Sequence, residues 1–241
     1  MRASTALACT IGIAMGTAAS AATIGYYGRY TGTRGSDLAL SAGHTVVFNP
    51  DPNNLAGIDT LYVDRADTSM VANNTRVNEW VLAGGRLITE SSATHMWFDG
   101  RLALFQGFLA DGFRTPSGTV CGGNTASVTD PASFLADGLP TSWGPTGDAI
   151  GVFQVYEDLD PLIQVVITAR FGTGPALPVA ATARIGLGTA VMFFSDFGDI
   201  NLNGCGWDNA HEERLFLNAL PTPSGLLALT AAGLFAARRR R

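Results

Sequence analysis

Asn74-Thr-Arg-Val-Asn-Glu-Trp-Val-Leu-Ala-Gly-Gly-Arg-Leu-Ile-Thr-Glu90 is the stretch that decides the fold. Val77, Trp80 and Val81 recur at the i, i+3, i+4 spacing of one helical face, which predicts a helix over Asn74 to Ala83. Gly84-Gly85 ends it, because glycine accepts the left-handed backbone that closes a helix. Arg86 to Glu90 then carries β-branched and apolar residues suited to a strand. A strand follows a helix after only two residues.

The same alternation runs outward from that stretch. Thr23-Ile-Gly-Tyr-Tyr-Gly28 reads as a first strand, and Ser36 to Ala42 as a short helix closed by Gly43. His44 to Asn49 reads as a second strand stopped by Pro50-Asp51-Pro52, and Asp59 to Asp64 as a third. Downstream, Ala149 to Tyr156, Leu162 to Ala169 and Pro178 to Ile185 read as strands joined by turns containing Gly and Pro. Gly188 to Ser195 is apolar enough for a sheet centre, and Asp208 to Leu220 reads as a closing amphipathic helix with Leu215, Phe216 and Ala219 inward. Asp208 suits its N-cap, and Glu212 and Glu213 sit where the helix dipole favours acids. Alternating elements with short connections predict an α/β fold: one doubly wound, mostly parallel sheet flanked by helices.

Three patterns together resemble the class I glutamine amidotransferase-like, flavodoxin-like fold. They are Asp59-Thr-Leu-Tyr-Val63, the run from Val77 through Gly84-Gly85 to Ile88, and Gly188-Thr-Ala-Val-Met-Phe-Phe-Ser-Asp196 ahead of Asn218-Ala-Leu220. Active members of that class carry a Cys on a sharp turn after a strand, with His and Glu near the last strand. Here Glu90 runs into Ser91-Ser92-Ala93-Thr94-His95, and Ser195-Asp196-Phe197 stands where a His-x-Glu is expected. The resemblance therefore implies the fold without the triad. A serine nucleophile is the alternative: Ser91 or Ser92, with His95 or His211 as base and Glu90, Asp196 or Glu212 to orient it. Ser-Ser-Ala-Thr is equally a helix N-cap run, and His95 equally a packing partner of Met96-Trp97-Phe98.

Both ends of the chain predict export. Met1-Arg2, the apolar stretch Ala6 to Ala18 and Ala19-Ser20-Ala21 have the layout of a signal peptide over residues 1–21. Residues 22–220 form the α/β domain, and residues 221–241 a tail. That tail begins Pro221-Thr222-Pro223-Ser224, continues as an apolar run and ends Arg238-Arg239-Arg240-Arg241. Leu226 to Ala237 would span roughly 18 Å as a helix, short of the ~30 Å hydrocarbon core, with the Arg cluster held on the cytoplasmic side. The tail resembles the PEP-CTERM sorting signal, with Thr222 where Glu is usual. That resemblance implies transient membrane association, an exosortase-type peptidase as partner besides signal peptidase, and delivery to the Gram-negative outer surface or extracellular matrix.

Composition narrows the partners further. Charged residues make up 15 % of the 241-residue chain, hydrophobic ones 46 %, and the net charge is -5. All basic residues are Arg. An acidic chain without a clustered basic face excludes nucleic acid. Beyond the signal, Cys121 and Cys205 are the remaining cysteines, and an oxidising compartment predicts a disulfide between them.

Asp199, Asn201 and Asn203, with Gly204, match the first half of a calcium loop, but position twelve is Ala210 rather than the bidentate Glu. A polar turn before the last helix accounts for the same residues. No other cofactor is implied. Trp97, Trp143 and Trp207 suit either sugar stacking from loops or core packing. The resulting expectation is an exported, surface-sorted, non-catalytic binding or structural protein of the cell envelope or exopolysaccharide matrix, with extracellular polysaccharide as a ligand class.

Overall fold

The computed structural model describes residues 21–27, 34–63, 73–90, 93–94, 109–110, 124–146, 158–159, 162–170, 173–194 and 210–221. Ala21–Pro221 forms one compact unit. In chain order it contains β1 (Thr23–Tyr27), α1 (Arg34–Ser41), β2 (Thr45–Phe48), β3 (Thr60–Val63), α2 (Asn74–Leu82), β4 (Arg86–Glu90) and β5 (Leu109–Ala110). Then come β6 (Thr125–Val128), a 3-10 turn (Phe134–Ala136), β7 (Ser142–Trp143), β8 (Asp158–Leu159), β9 (Gln164–Arg170), β10 (Ala176–Ile185), β11 (Gly188–Phe193) and α3 (Ala210–Ala219).

Among the described residues nine strands form one mixed sheet in the order β2-β1-β3-β4-β11-β10-β9-β6-β7, and β5 pairs with β8 apart from it. The β2-β1-β3-β4-β11 half is parallel throughout. The β11-β10-β9-β6-β7 half is antiparallel. The α/β class expected from the alternating pattern is what the chain forms. α1 carries the chain between the parallel β1 and β2, and α2 between the parallel β3 and β4; the tight Gly186-Leu187 connection between β10 and β11 allows only an antiparallel hairpin.

The three patterns quoted above become adjacent: β3, β4 and β11 lie side by side at the sheet centre. Helices cover both faces. On one, Tyr26, Tyr62, Ile88, Val191 and Phe193 pack with Leu215, Phe216 and Ala219 of α3 and Ala39 of α1. On the other, Leu61, Val63, Leu87, Ala190 and Met192 pack with Val77 and Val81 of α2. Neighbouring residues of each strand thus go to opposite cores, which is why these strands read as continuous apolar runs. Each fully buried large apolar side chain stabilises the fold by about 1.5–3 kcal/mol relative to exposure. Among the described residues, no helix is long and apolar enough to cross a membrane.

Glycine and proline mark the tight places. Gly43 has φ +86° just past α1, and the amides of Gly43 and His44 donate to the Leu40 and Ala39 carbonyls. Gly188 opens β11 so close to α2 that an added Cβ would stand 2.1 Å from the Val81 carbonyl oxygen. Pro178 lies inside β10, and the pairing with β9 shifts register between Pro178 and Ala180. A residue without an amide hydrogen is tolerated at such an irregularity.

The regions least visible in sequence are β6, the 3-10 turn and β7. They are short, and β6 carries Thr125, Ser127 and a single buried Ala126. Trp143 lies in β7 rather than the loop expected, and at 5 % exposed it follows the core-packing reading and offers no face to a sugar. Its indole ring fills space beside α3 that a polar two-residue strand cannot fill otherwise. The strand expected over Ala149 to Tyr156 lies outside the described residues.

Candidate functional site

In an open parallel sheet, ligands gather at the carboxyl ends of the strands where the strand order reverses. From β1 the chain goes through α1 to β2 on one side and then to β3 on the other, so the reversal lies between β1 and β3. Tyr26 and Tyr62 occupy paired positions there, their rings stacked with centroids 4.6 Å apart. Phe216 of α3 meets Tyr62 edge-on at 5.5 Å. These rings form a dry floor beneath the strand ends.

One pleat further along β4, Glu90 is fully buried and accepts a hydrogen bond from the Tyr62 hydroxyl. A carboxylate withdrawn from water needs such a donor. The start of α1 closes over the same place: a Cβ on Gly35 would stand 3.2 Å from Phe216 and 3.3 Å from Tyr26. Ser36 is buried behind it, and Arg34 pairs with Glu213 across the two helices.

α3 runs antiparallel to β4. The Ala219 carbonyl at its end takes a hydrogen bond from Arg86 at the start of β4, at 2.9 Å. Its first turn, with the fully buried Glu212, therefore points toward the strand ends. His211 goes sideways, its ring 5.9 Å from that of Trp143. Trp143 belongs to β7, and four strands lie between β7 and β4 in the sheet.

Thr94, four residues beyond Glu90, is tied to the sheet. Thr94 donates to the Phe193 carbonyl of β11 at 2.8 Å, and its hydroxyl lies 2.9 Å from that of Thr89. Ala93 and Thr94 are both fully buried. This threonine pair ties β4 to β11 through Thr94.

Of the residues singled out from sequence, Glu90 and Glu212 lie toward the same end of the fold and His211 sits against Trp143. Ser91, Ser92, His95, Asp196, Cys121, Cys205, Asp199, Asn201, Asn203, Trp97 and Trp207 lie outside the described residues, as do Thr222 to Ser224 and Arg238 to Arg241 of the tail. Among the described residues, no three His, Cys, Asp or Glu side chains group to hold a metal ion. Tyr62 was hidden in the sequence by its setting: in Thr-Leu-Tyr-Val it reads as one more strand residue. Only pairing β3 with β4 puts its hydroxyl at Glu90.

No protein-family model matches the chain, and no curated protein matches it in sequence. Solved structures do share its architecture. A ThuA-like protein of Bacteroides uniformis superposes with a TM-score of 0.54 at 12% identity, over 83% of this chain and 89% of that one. PurLQS of Thermotoga maritima gives 0.57 at 10% identity, over 82% of this chain and 97% of the other. The fold is glutamine amidotransferase-like. A third neighbour, the cold-adapted β-galactosidase of Rahnella sp. R3, gives 0.53 at 16% identity, over 87% of this chain but 32% of its own. Identities this low speak for the fold alone. Within that fold, residues 86 to 94 include no cysteine, and the carboxyl end of β4 presents Glu90 held by Tyr62.

Proposed function

We propose that the protein is exported, sorted to the outer surface, and acts there as a non-catalytic binding or structural component of the cell envelope or exopolysaccharide matrix. The observation that carries this reading is the end of β4. Its buried acid is held by a tyrosine, Thr94 just beyond it is bonded to β11, and residues 86 to 94 include no cysteine for glutaminase chemistry. Fold does not fix function, so the location comes from the ends of the chain. The signal-like residues 1–21 and the tail from Pro221 to Arg241 make signal peptidase and an exosortase-type peptidase the processing partners, with extracellular polysaccharide as ligand.

Intact-mass spectrometry of the protein from its native host, before and after reduction, tests this. The expected species begins at Ala22, lacks the tail beyond Pro221-Thr222-Pro223, and gains two protons when the Cys121–Cys205 bridge is reduced. A full-length chain in the cell interior overturns the surface role. The catalytic alternative is tested separately: an esterase or amidase activity abolished by Ser91→Ala or Ser92→Ala would replace the non-catalytic reading with a serine hydrolase.

A further inference from the structure

At the opposite end of the sheet from Tyr62 and Glu90 lies a cleft of about 510 Å³, within the usual range for ligand sites. Three register-matched residues form its base: Arg184 on β10 pairs with Thr189 on β11, which pairs with Arg86 on β4. Partners directly across a sheet point to the same face. Two guanidinium groups thus flank one threonine hydroxyl. Gln164, Asp130 and Phe134 complete the wall.

Among the described residues Arg86 and Arg184 form no ion pair. Arg86 spends one donor on the Ala219 carbonyl, and its guanidinium carbon lies 5.1 Å from the centre of the Phe134 ring. Asp130, the carboxylate in the same wall, is held by neutral donors rather than by either arginine: its Oδ1 accepts from the Ala132 amide and its Oδ2 from Gln164. Burial holds the Arg86 guanidinium below its usual range. The two cations stand two strands apart, with Thr189 between them, a spacing that leaves room for an anion to be shared by both. Planar guanidinium forks suit an oxyanion such as a carboxylate or phosphate.

We propose that this cleft binds an oxyanion, supplied by the carboxylate of an acidic sugar. The sugar part rests on the polysaccharide reading above; the anion part does not. Phe134 is 41 % exposed and Leu162 67 % exposed at the cleft, offering apolar surface to a pyranose face. Gln164 and Thr189 offer hydrogen bonds to hydroxyl groups.

Calorimetric titration of the full chain with tri-galacturonate, its methyl ester and inorganic phosphate tests the assignment. Tri-galacturonate should bind, the ester should not, and Arg184→Gln should weaken binding by about tenfold or more, as loss of a charge-assisted hydrogen bond does. Arg184 is exposed on its strand, so this variant keeps the fold; Arg86→Lys, which retains charge but loses the fork, should also weaken binding. Phosphate binding that depends on both arginines, without tri-galacturonate binding, overturns the sugar source and assigns the site to a small free oxyanion. Absence of binding by either anion, or binding unchanged in Arg184→Gln and Arg86→Lys, overturns the site itself. Retention on whole polysaccharide that survives both substitutions would leave the surface role standing while removing this cleft from it.

Discussion

Tyr62 on β3 donates its hydroxyl to Glu90 on β4, and both residues are fully buried. The pair joins adjacent parallel strands at their carboxyl ends, where open parallel sheets bind ligands. Removing only the donor leaves a buried carboxylate oxygen short of a partner. Tyr62→Phe should therefore destabilise the protein by about 1–3 kcal/mol, read as a lowered urea midpoint. Because Tyr62 also stacks on Tyr26, the ring is retained in this variant and the change isolates the hydroxyl. An unchanged midpoint would mean that Glu90 is satisfied without it.

Close approach of α2 to β11 gives a sharper expectation. With 2.1 Å between a new Cβ and the Val81 carbonyl oxygen, Gly188→Ala forces helix and strand apart. Overpacking of this kind costs about 1–3 kcal/mol, sometimes more. Gly43→Ala makes a useful comparison, since nothing lies within 4 Å of its Cβ and the strain comes from φ +86° alone. Thermal melts should rank Gly188→Ala as the more damaging. The reverse order would mean that the α2–β11 contact yields easily.

Much of this architecture was legible because its helices and central strands are locally unambiguous. Val77, Trp80 and Val81 announced α2, and Gly188 to Phe193 announced β11, since burial on both faces leaves an apolar run. The β6–β7 edge was not legible. Ser127 and Ser142 carry no strand signature, and Trp143 resembles a loop tryptophan until its pairing with Ala126 is known. The two arginines of the cleft were invisible for a related reason. Arg86 and Arg184 are 98 positions apart, and only the β10-β11-β4 register puts them in one row.

Arg34 and Glu213 tie α1 to α3, yet both side chains are partly exposed, at 41% and 29%. Solvent weakens such a pair, and exposed ion pairs contribute about 0–1 kcal/mol. Arg34→Ala should accordingly shift the urea midpoint far less than Phe216→Ala, which removes a buried ring touching Tyr62 and should cost about 3–5 kcal/mol. A larger effect from Arg34→Ala would assign the helix–helix contact to charge rather than to packing.

His44 follows α1 and is buried, with Nδ1 lacking a hydrogen-bond partner among the described residues. Burial lowers its pKa below the ordinary value of about 6.5. The sign follows from proton counting. Below 6.5 the unfolded chain binds a proton that the folded chain resists, so unfolding is favoured as the solution becomes more acidic. Stability from this group is complete above pH 6.5 and declines as pH falls from there through the folded-state pKa. Urea midpoints at pH 7.5, 6.5 and 5.5 should decrease in that order, and His44→Gln should flatten the decrease. If the substituted chain lost stability with the same slope, the acid sensitivity would belong to another group.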